Sequence, residues 1–210
     1  MASFESLAQS VISGREGQVK EQVQALIDSG TNPLAIITDG LINGMNVVGA
    51  RFKVGDMFVP EVLRAAKAMS AGLAIVKPHI ADKDMPATGT VVIGAVQGDL
   101  HDIGKNLVVM MLEGAGFKVI DLGIDISTEK FIAAVKEHKA TILAMAALLT
   151  TTMPVMQHAI ELLTEEGLRD TVKVIVGGAP VTQDFANQIG ADGYASDAAI
   201  AVDICKEWVA

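Results

Sequence analysis

TVVIGAVQGDLHDIGKNLVVMMLEGAGFKVIDL, Thr90–Leu122, is the stretch from which the rest of the chain can be read. Thr90–Val96 is a short β-branched and small apolar run, the pattern of a buried strand. A polar, glycine-bearing loop follows, and Ile103–Glu113 then carries apolar residues at helical spacing. Phe117–Leu122 returns to the strand pattern. The alternation continues with a helix over Thr128–His138, a strand over Thr141–Leu148, a helix over Pro154–Glu166 and a strand over Val172–Val176. A helix over Val181–Gln188, a short strand over Asp192–Ala195 and a last helix over Ala198–Trp208 complete it. Five short apolar strands alternating with helices predict a doubly wound parallel sheet of Rossmann or flavodoxin type, covered on both faces. Such sheets bind ligands beyond the carboxyl ends of their strands, near the switch in strand order. Three loops at that edge are unusual in composition: GDLHDIG, LLTTTMP and GGAP.

Upstream the period is helical throughout. Ser3 is placed to cap a helix over Phe4–Ser13, which Gly14 ends, and Gln18–Ile27 forms a second with Val19, Val23, Leu26 and Ile27 on one face. In DSGTNP, Gly30 stops that helix, Thr31 or Asn32 caps the next, and Pro33 suits its first turn. A third helix covers Leu34–Val54, and VGDMFVP leads into a fourth over Glu61–Lys77. Four helices with short connections predict a small bundle. HIADKDMPATG, rich in turn residues, reads as the linker. The expected organisation is a helical domain over 1–81, a linker over 82–89 and an α/β domain over 90–210.

Composition narrows the function. Half the residues are apolar, enough for a sizeable core, and the net charge of -9 comes with no basic run, so nucleic acid is not an expected partner. The longest wholly apolar stretch, Ile142–Leu149, is too short to span a bilayer, and MASFESLAQS has neither a basic start nor a signal core. A single cysteine, Cys205, rules out an internal disulfide framework, and the chain reads as cytoplasmic.

The chemistry concentrates in GDLHDIG. His101 follows the first strand closely and projects from the ligand-bearing edge, with Asp99 on the same loop. A metal-bound imidazole usually donates its other ring N–H to a carboxylate or carbonyl, so His101 and Asp99 can supply the ligand and the group that orients it. Gly98 and Gly104 bracket the loop and relieve crowding where a flat ligand approaches. An Asp-x-His in a loop is more often surface polar chemistry, and Gly177-Gly178 alone reads as a strand-to-loop turn. No second His or Cys lies nearby to complete a zinc site, and neither a Walker sequence nor Gly-x-Gly-x-x-Gly is present. An open single-imidazole site suits a metal already held in a macrocycle.

Here the sequence resembles a known family. Asp99-Leu100-His101-Asp102-Ile103-Gly104 matches the D-x-H-x-x-G fingerprint of cobalamin-binding domains. The fingerprint continues as a Ser-x-Leu, met here as Ala146-Ala147-Leu148 after residues 105–145, and a Gly-Gly, met as Gly177-Gly178 after residues 149–176. The helical half followed by the sheet half is similar to the two-domain corrinoid proteins of methyltransferase systems and to the cobalamin-binding module of methionine synthase. The resemblance implies a cobalamin or related corrinoid cofactor, cycling between Co(I) and methyl-Co(III), with His101 as the lower cobalt ligand, its bond weakening as Co(I) forms. It implies that the cofactor's nucleotide tail enters the sheet domain along Gly177 and Gly178, lined by Leu148, Leu149 and Thr150, with Tyr194 and Ala195 near the far end. One departure stands out: Ala146 replaces the family's serine, so its hydroxyl is missing, and Thr150, Thr151 or Thr152 are candidates to replace its hydrogen bonds. The loop and helix VGDMFVPEVLRAAKAMSAGL resembles the lid over the methyl-bearing corrin face, with Met57 and Phe58 as contact candidates and Ala65 and Ala68 allowing close approach.

The function implied is a methyl carrier with no catalytic constellation of its own. A substrate-specific methyltransferase would load it from a methylamine, methanol, methoxylated aromatic or betaine. A second methyltransferase would unload it to tetrahydrofolate or a thiol, and a reductive activase would restore Co(I). A cobalamin-dependent sensor and a mutase subunit are the alternatives; the first would generally add a DNA-binding or output domain, and no basic helix-turn-helix segment is found here, while the second would not need the lid.

Overall fold

A computed structural model of the chain describes residues 2–80 and 88–209; most of the expected linker therefore lies outside the described residues. The described residues fall into two compact units, one helical and one built on a sheet.

In the helical unit, α1 (Phe4–Ile12) begins at Ser3, whose side chain accepts the Ser6 N–H at 3.1 Å while the Ser6 hydroxyl accepts the Ser3 N–H at 2.9 Å. These bonds satisfy donors that the first turn leaves orphaned. α2 (Glu16–Asp28) follows, and Asn32 Oδ1 then caps α3 (Pro33–Ala35) by accepting the Leu34 N–H at 2.9 Å. The expected third helix is one rod of mixed pitch: α3 runs through a π-helical segment, Ile36–Ile42, into α4 (Asn43–Lys53). Two of its glycines, Gly40 and Gly44, face α1 at close range. A Cβ on Gly44 would stand 2.8 Å from Val11 Cβ, and one on Gly40 would stand 2.6 Å from Leu7 Cδ2, so the wide turn and the missing side chains let these helices approach. α5 (Val59–Val76) starts two residues earlier than the spacing indicates, with Pro60 in its first turn and the Glu61 carboxylate accepting the Phe58 N–H at 2.9 Å. It packs along α2, and Leu7, Val11, Val19, Val23, Leu41, Val62 and Met69 form the buried interior.

In the second unit, β1 (Thr90–Ala95), β2 (Lys118–Asp121), β3 (Ile142–Ala146), β4 (Lys173–Gly177) and β5 (Gly193–Ala195) form one parallel sheet in the order β2-β1-β3-β4-β5. They alternate with α6 (Ile103–Gly114), α7 (Thr128–His138), α8 (Pro154–Glu165), α9 (Gln183–Ile189) and α10 (Ala198–Val209). This is the flavodoxin-like order, whose switch point lies between β1 and β3. The last turns of α6, from Met110, group with the helical unit. Val92, Leu143, Met145, Val174 and Val176 pack with Phe131 and Ile132 of α7, Met156 and Leu163 of α8 and Ile189 of α9. Their neighbours Val91, Ile93, Ile142, Ala144 and Ile175 are buried as well, as a sheet covered on both faces requires. β3 stops at Ala146, two residues short of the expected end, because the Leu148 N–H leaves the ladder for a side chain.

Candidate cofactor and metal site

The strand register builds the floor of the site. Ala95 pairs with Ala146, Ala146 with Gly177, and Gly177 with Ala195, so four small residues stand side by side at the carboxyl edge. Beyond that row the β1–α6 loop carries Asp99 and His101, the β3–α8 loop carries Leu148–Thr152, and Gly178 follows β4.

Asp99 is the polar centre. It is fully buried, and four donors converge on its carboxylate. Oδ1 accepts the His101 N–H at 3.1 Å and lies 2.8 Å from His101 Nδ1; Oδ2 accepts the Leu148 N–H at 2.6 Å and the Thr152 hydroxyl at 3.1 Å. Burial alone would raise this carboxyl above its ordinary 3.8. The Leu148 N–H, the His101 ring and backbone N–H groups and the Thr152 hydroxyl outweigh it and hold the carboxyl down at about 2. An ionised Asp99 only accepts, so it favours the tautomer in which the neutral His101 ring carries its proton on Nδ1 and leaves the Nε2 lone pair available. The imidazole is half exposed, with a side-chain exposure of 51%. That is the arrangement of a metal-ligating histidine oriented by a carboxylate.

The surroundings suit a broad flat ligand. Leu100 and Ile103, on either side of His101, are 67% and 82% exposed, and Leu148 and Leu149 are exposed on the neighbouring loop. Clustered exposed apolar side chains around a polar group mark a binding surface. A Cβ on Gly104 would meet nothing within 4 Å, so the space above that turn is open. Among the described residues no group of three or more His, Cys, Asp or Glu could hold a bare metal ion, and the donor set here is one imidazole. These residues fit a metal that brings its own equatorial ligands.

The other sequence-predicted residues divide. Gly177 and Gly178 are demanded by the chain itself: a Cβ on Gly177 would stand 2.8 Å from Ala195 O, and one on Gly178, whose φ is +125°, would stand 1.9 Å from Ala147 O. Tyr194 is half buried against the core and Ala195 is buried. Asp102 is exposed, and its carboxylate accepts the Asn106 side-chain N–H at 3.1 Å. Of the three candidate threonines, Thr152 is buried and reaches Asp99, while Thr150 and Thr151 are exposed. Met57 is buried and Phe58 is 68% exposed, so Phe58 alone of that pair offers surface; Val54, Val59 and Leu63 are exposed with it. Ala65, Ala68 and Met69 are buried in the helical interior.

Sequence reasoning missed two supports. Lys105, buried in the first turn of α6, places Nζ 2.6 and 2.7 Å from the Asp121 carboxylate oxygens and 2.7 Å from Asn106 Oδ1. Asp125 accepts the Gly98 N–H at 2.7 Å. The signal for Lys105 was a lysine within an apolar helix start; for Asp125 the sequence carried none.

Comparison with known proteins adds the following. Residues 89–203 match a family model described as the B12 binding domain, and residues 3–77 match a second model with the same description. The chain is 45% identical to a corrinoid protein of Desulfitobacterium hafniense, covering 99% of this chain and 97% of that one. It is also 45% identical to the dimethylamine corrinoid protein of Methanosarcina barkeri, over 99% of this chain and 97% of that protein. Among solved structures it is similar to the methanol:cobalamin methyltransferase complex of Methanosarcina barkeri, with 36% identity and a TM-score of 0.89, covering 97% of this chain and 78% of that one.

Proposed function

The chain belongs to the corrinoid proteins of the B12-binding-domain family, and from that premise we propose that it is a corrinoid methyl carrier working between two methyltransferases. The observation that carries the reading is the Asp99–His101 pair: a buried, ionised carboxylate 2.8 Å from Nδ1 of a half-exposed imidazole at the carboxyl edge of the sheet.

When bound, a corrin cobalt would supply the chemistry of accepting and donating a methyl group. The protein's part is positioning and electrostatics. Asp99 keeps the ring proton on Nδ1, which makes His101 a more basic ligand through Nε2. The Leu148 N–H and the Thr152 hydroxyl keep Asp99 ionised, so that proton has one home. Leu100, Ile103, Leu148 and Leu149 offer the apolar surface that excludes water. The row Ala95, Ala146, Gly177 and Ala195 keeps the edge low for a nucleotide tail, with Thr150 and Tyr194 as further lining candidates. Residues 1–81 would act as lid domain and 90–210 as cofactor domain, a division supported by the separate family matches. The lid role rests on the exposed apolar group Val54, Phe58, Val59 and Leu63.

The names of two relatives, a dimethylamine corrinoid protein and a methanol:cobalamin methyltransferase complex, favour a substrate-specific methyltransferase that loads the carrier from a methylated amine or an alcohol. Unloading to tetrahydrofolate or a thiol, and repair by a reductive activase, complete the proposed cycle. A carrier of so reducing a nucleophile belongs in the cytoplasm.

Loading the purified chain with methylcobalamin tests the site: a base-off, histidine-on spectrum is expected, and His101→Ala should abolish it. An unchanged spectrum in that variant would remove His101 from the metal. Methyl transfer from the loaded protein to tetrahydrofolate, with a corrinoid:folate methyltransferase added, tests the carrier role.

A further inference from the structure

Among the described non-glycine residues two have a positive φ: Lys139, at +48°, and Asp125, at +55°. Lys139 ends α7, where a left-handed residue is the ordinary way for a helix to stop. Asp125 ends no helix. It sits in the connection between β2 and α7, and a left-handed non-glycine residue persists only where its surroundings over-determine it.

Those surroundings are two hydrogen bonds to the loop that carries His101. Asp125 Oδ1 accepts the Gly98 N–H at 2.7 Å, and the Asp125 N–H donates to Asp99 O at 3.1 Å. The left-handed conformation lets one residue reach the main chain of two successive positions. The segment is itself anchored: the Ala95 N–H donates to Gly123 O, and the Ile126 N–H to Ala95 O, both at 3.0 Å. The Asp99 main chain is thereby held at both ends, since its own N–H donates to Val96 O at 3.0 Å. A fixed Asp99 backbone is what aims its carboxylate at His101 Nδ1.

We propose that Asp125 is a positioning residue for the cobalt-ligating histidine, acting through Gly98 and Asp99 and touching neither His101 nor the cofactor. This rests on the reading of His101 as the ligand. A misplacement well under the length of a bond matters at such a site, because an oriented ligand is one held by its supports.

The test uses protein labelled with nitrogen-15 histidine, loaded with cobalamin and reduced to the Co(II) state. Electron paramagnetic resonance then identifies a histidine axial nitrogen by doublet splitting, against the triplet of the unlabelled protein. Asp125→Gly removes the carboxylate and also the backbone strain, whereas Asp125→Asn keeps an acceptor oxygen and a residue that tolerates this conformation. The histidine-coordinated fraction should fall about tenfold relative to the uncoordinated form in D125G, the size expected for one charge-assisted hydrogen bond, and recover in D125N. Far-UV circular dichroism and the thermal midpoint should stay near wild type in both. A wild-type histidine signal in D125G overturns the proposal. If D125G does not fold, Asp125→Ser is read in the same way; if neither folds, Asp125 is a stability residue and the assignment fails. A wild-type protein without the doublet would instead overturn the His101 assignment on which this rests.

Discussion

Asp99 shows how much one buried residue can decide. Its side chain receives four donors, one of them the Thr152 hydroxyl at 3.1 Å. Thr152→Val should weaken that support while keeping side-chain shape. Removing one hydrogen bond to a charged buried acceptor costs about 1.5–3 kcal/mol. The expected result is a lower unfolding midpoint in urea and a reduced histidine-on fraction with methylcobalamin, and a variant equal to wild type in both would show that Leu148 and His101 suffice. Cys205 makes a simpler case. Burial pushes its thiol up to about 12, so almost no thiolate exists near neutral pH. Iodoacetamide at pH 8 should leave the folded protein unmodified and label it fully in denaturant, as mass spectrometry would record.

At the scale of elements, the joint between α6 and β2 is held by a buried ion pair. Lys105 is nearly inaccessible whereas Asp121 is one-third exposed, and the Asp121 carboxylate also accepts the Gly123 N–H at 2.9 Å. Breaking a fully buried pair costs about 3–5 kcal/mol; with Asp121 able to rehydrate, Lys105→Met should cost about 2 kcal/mol. The double variant Lys105→Met/Asp121→Leu should recover part of that loss, which a double-mutant cycle in urea measures. Gly178 sets a harder limit. A Cβ 1.9 Å from Ala147 O cannot be accommodated without moving the β3–α8 loop, so Gly178→Ala should destabilise by more than about 4 kcal/mol and displace the Leu148 N–H from Asp99. Retention of both stability and the histidine-on spectrum would contradict the close approach seen here.

Across the whole molecule, strand order dictates where protection lies. β3 is central, β1 and β4 flank it, and β2 and β5 are the edges. Hydrogen exchange should be slowest in Val91–Ala95, Ile142–Ala146 and Val174–Val176 and faster in Lys118–Asp121 and Gly193–Ala195, since edge strands open in smaller cooperative units. Uniform exchange across the five strands would argue against this order. The ligand edge belongs to the strands expected to exchange slowest: β1 delivers the His101 loop and β3 the Leu148 loop.

The short continuous apolar runs and the helical spacing between them were enough to read five parallel strands, and the turn residues Gly14, Gly30 and Asn32 marked helix ends within two residues. Local propensity and burial pattern act over a few residues, so they are written in the sequence directly. The Asp99–His101 pair was legible for the same reason, being two residues apart on one loop. The Leu148 N–H, the choice of Thr152 among three candidate threonines, the Lys105–Asp121 ion pair and the Asp125 clamp were not. Each joins segments whose distance in the chain says nothing about their distance in space, and two of them use backbone N–H groups that every residue possesses. Gly177 and Gly178 needed both levels: the sequence marked them as a turn beside a ligand, and only the packed strands revealed that the carbonyls of Ala195 and Ala147 leave no room for any side chain.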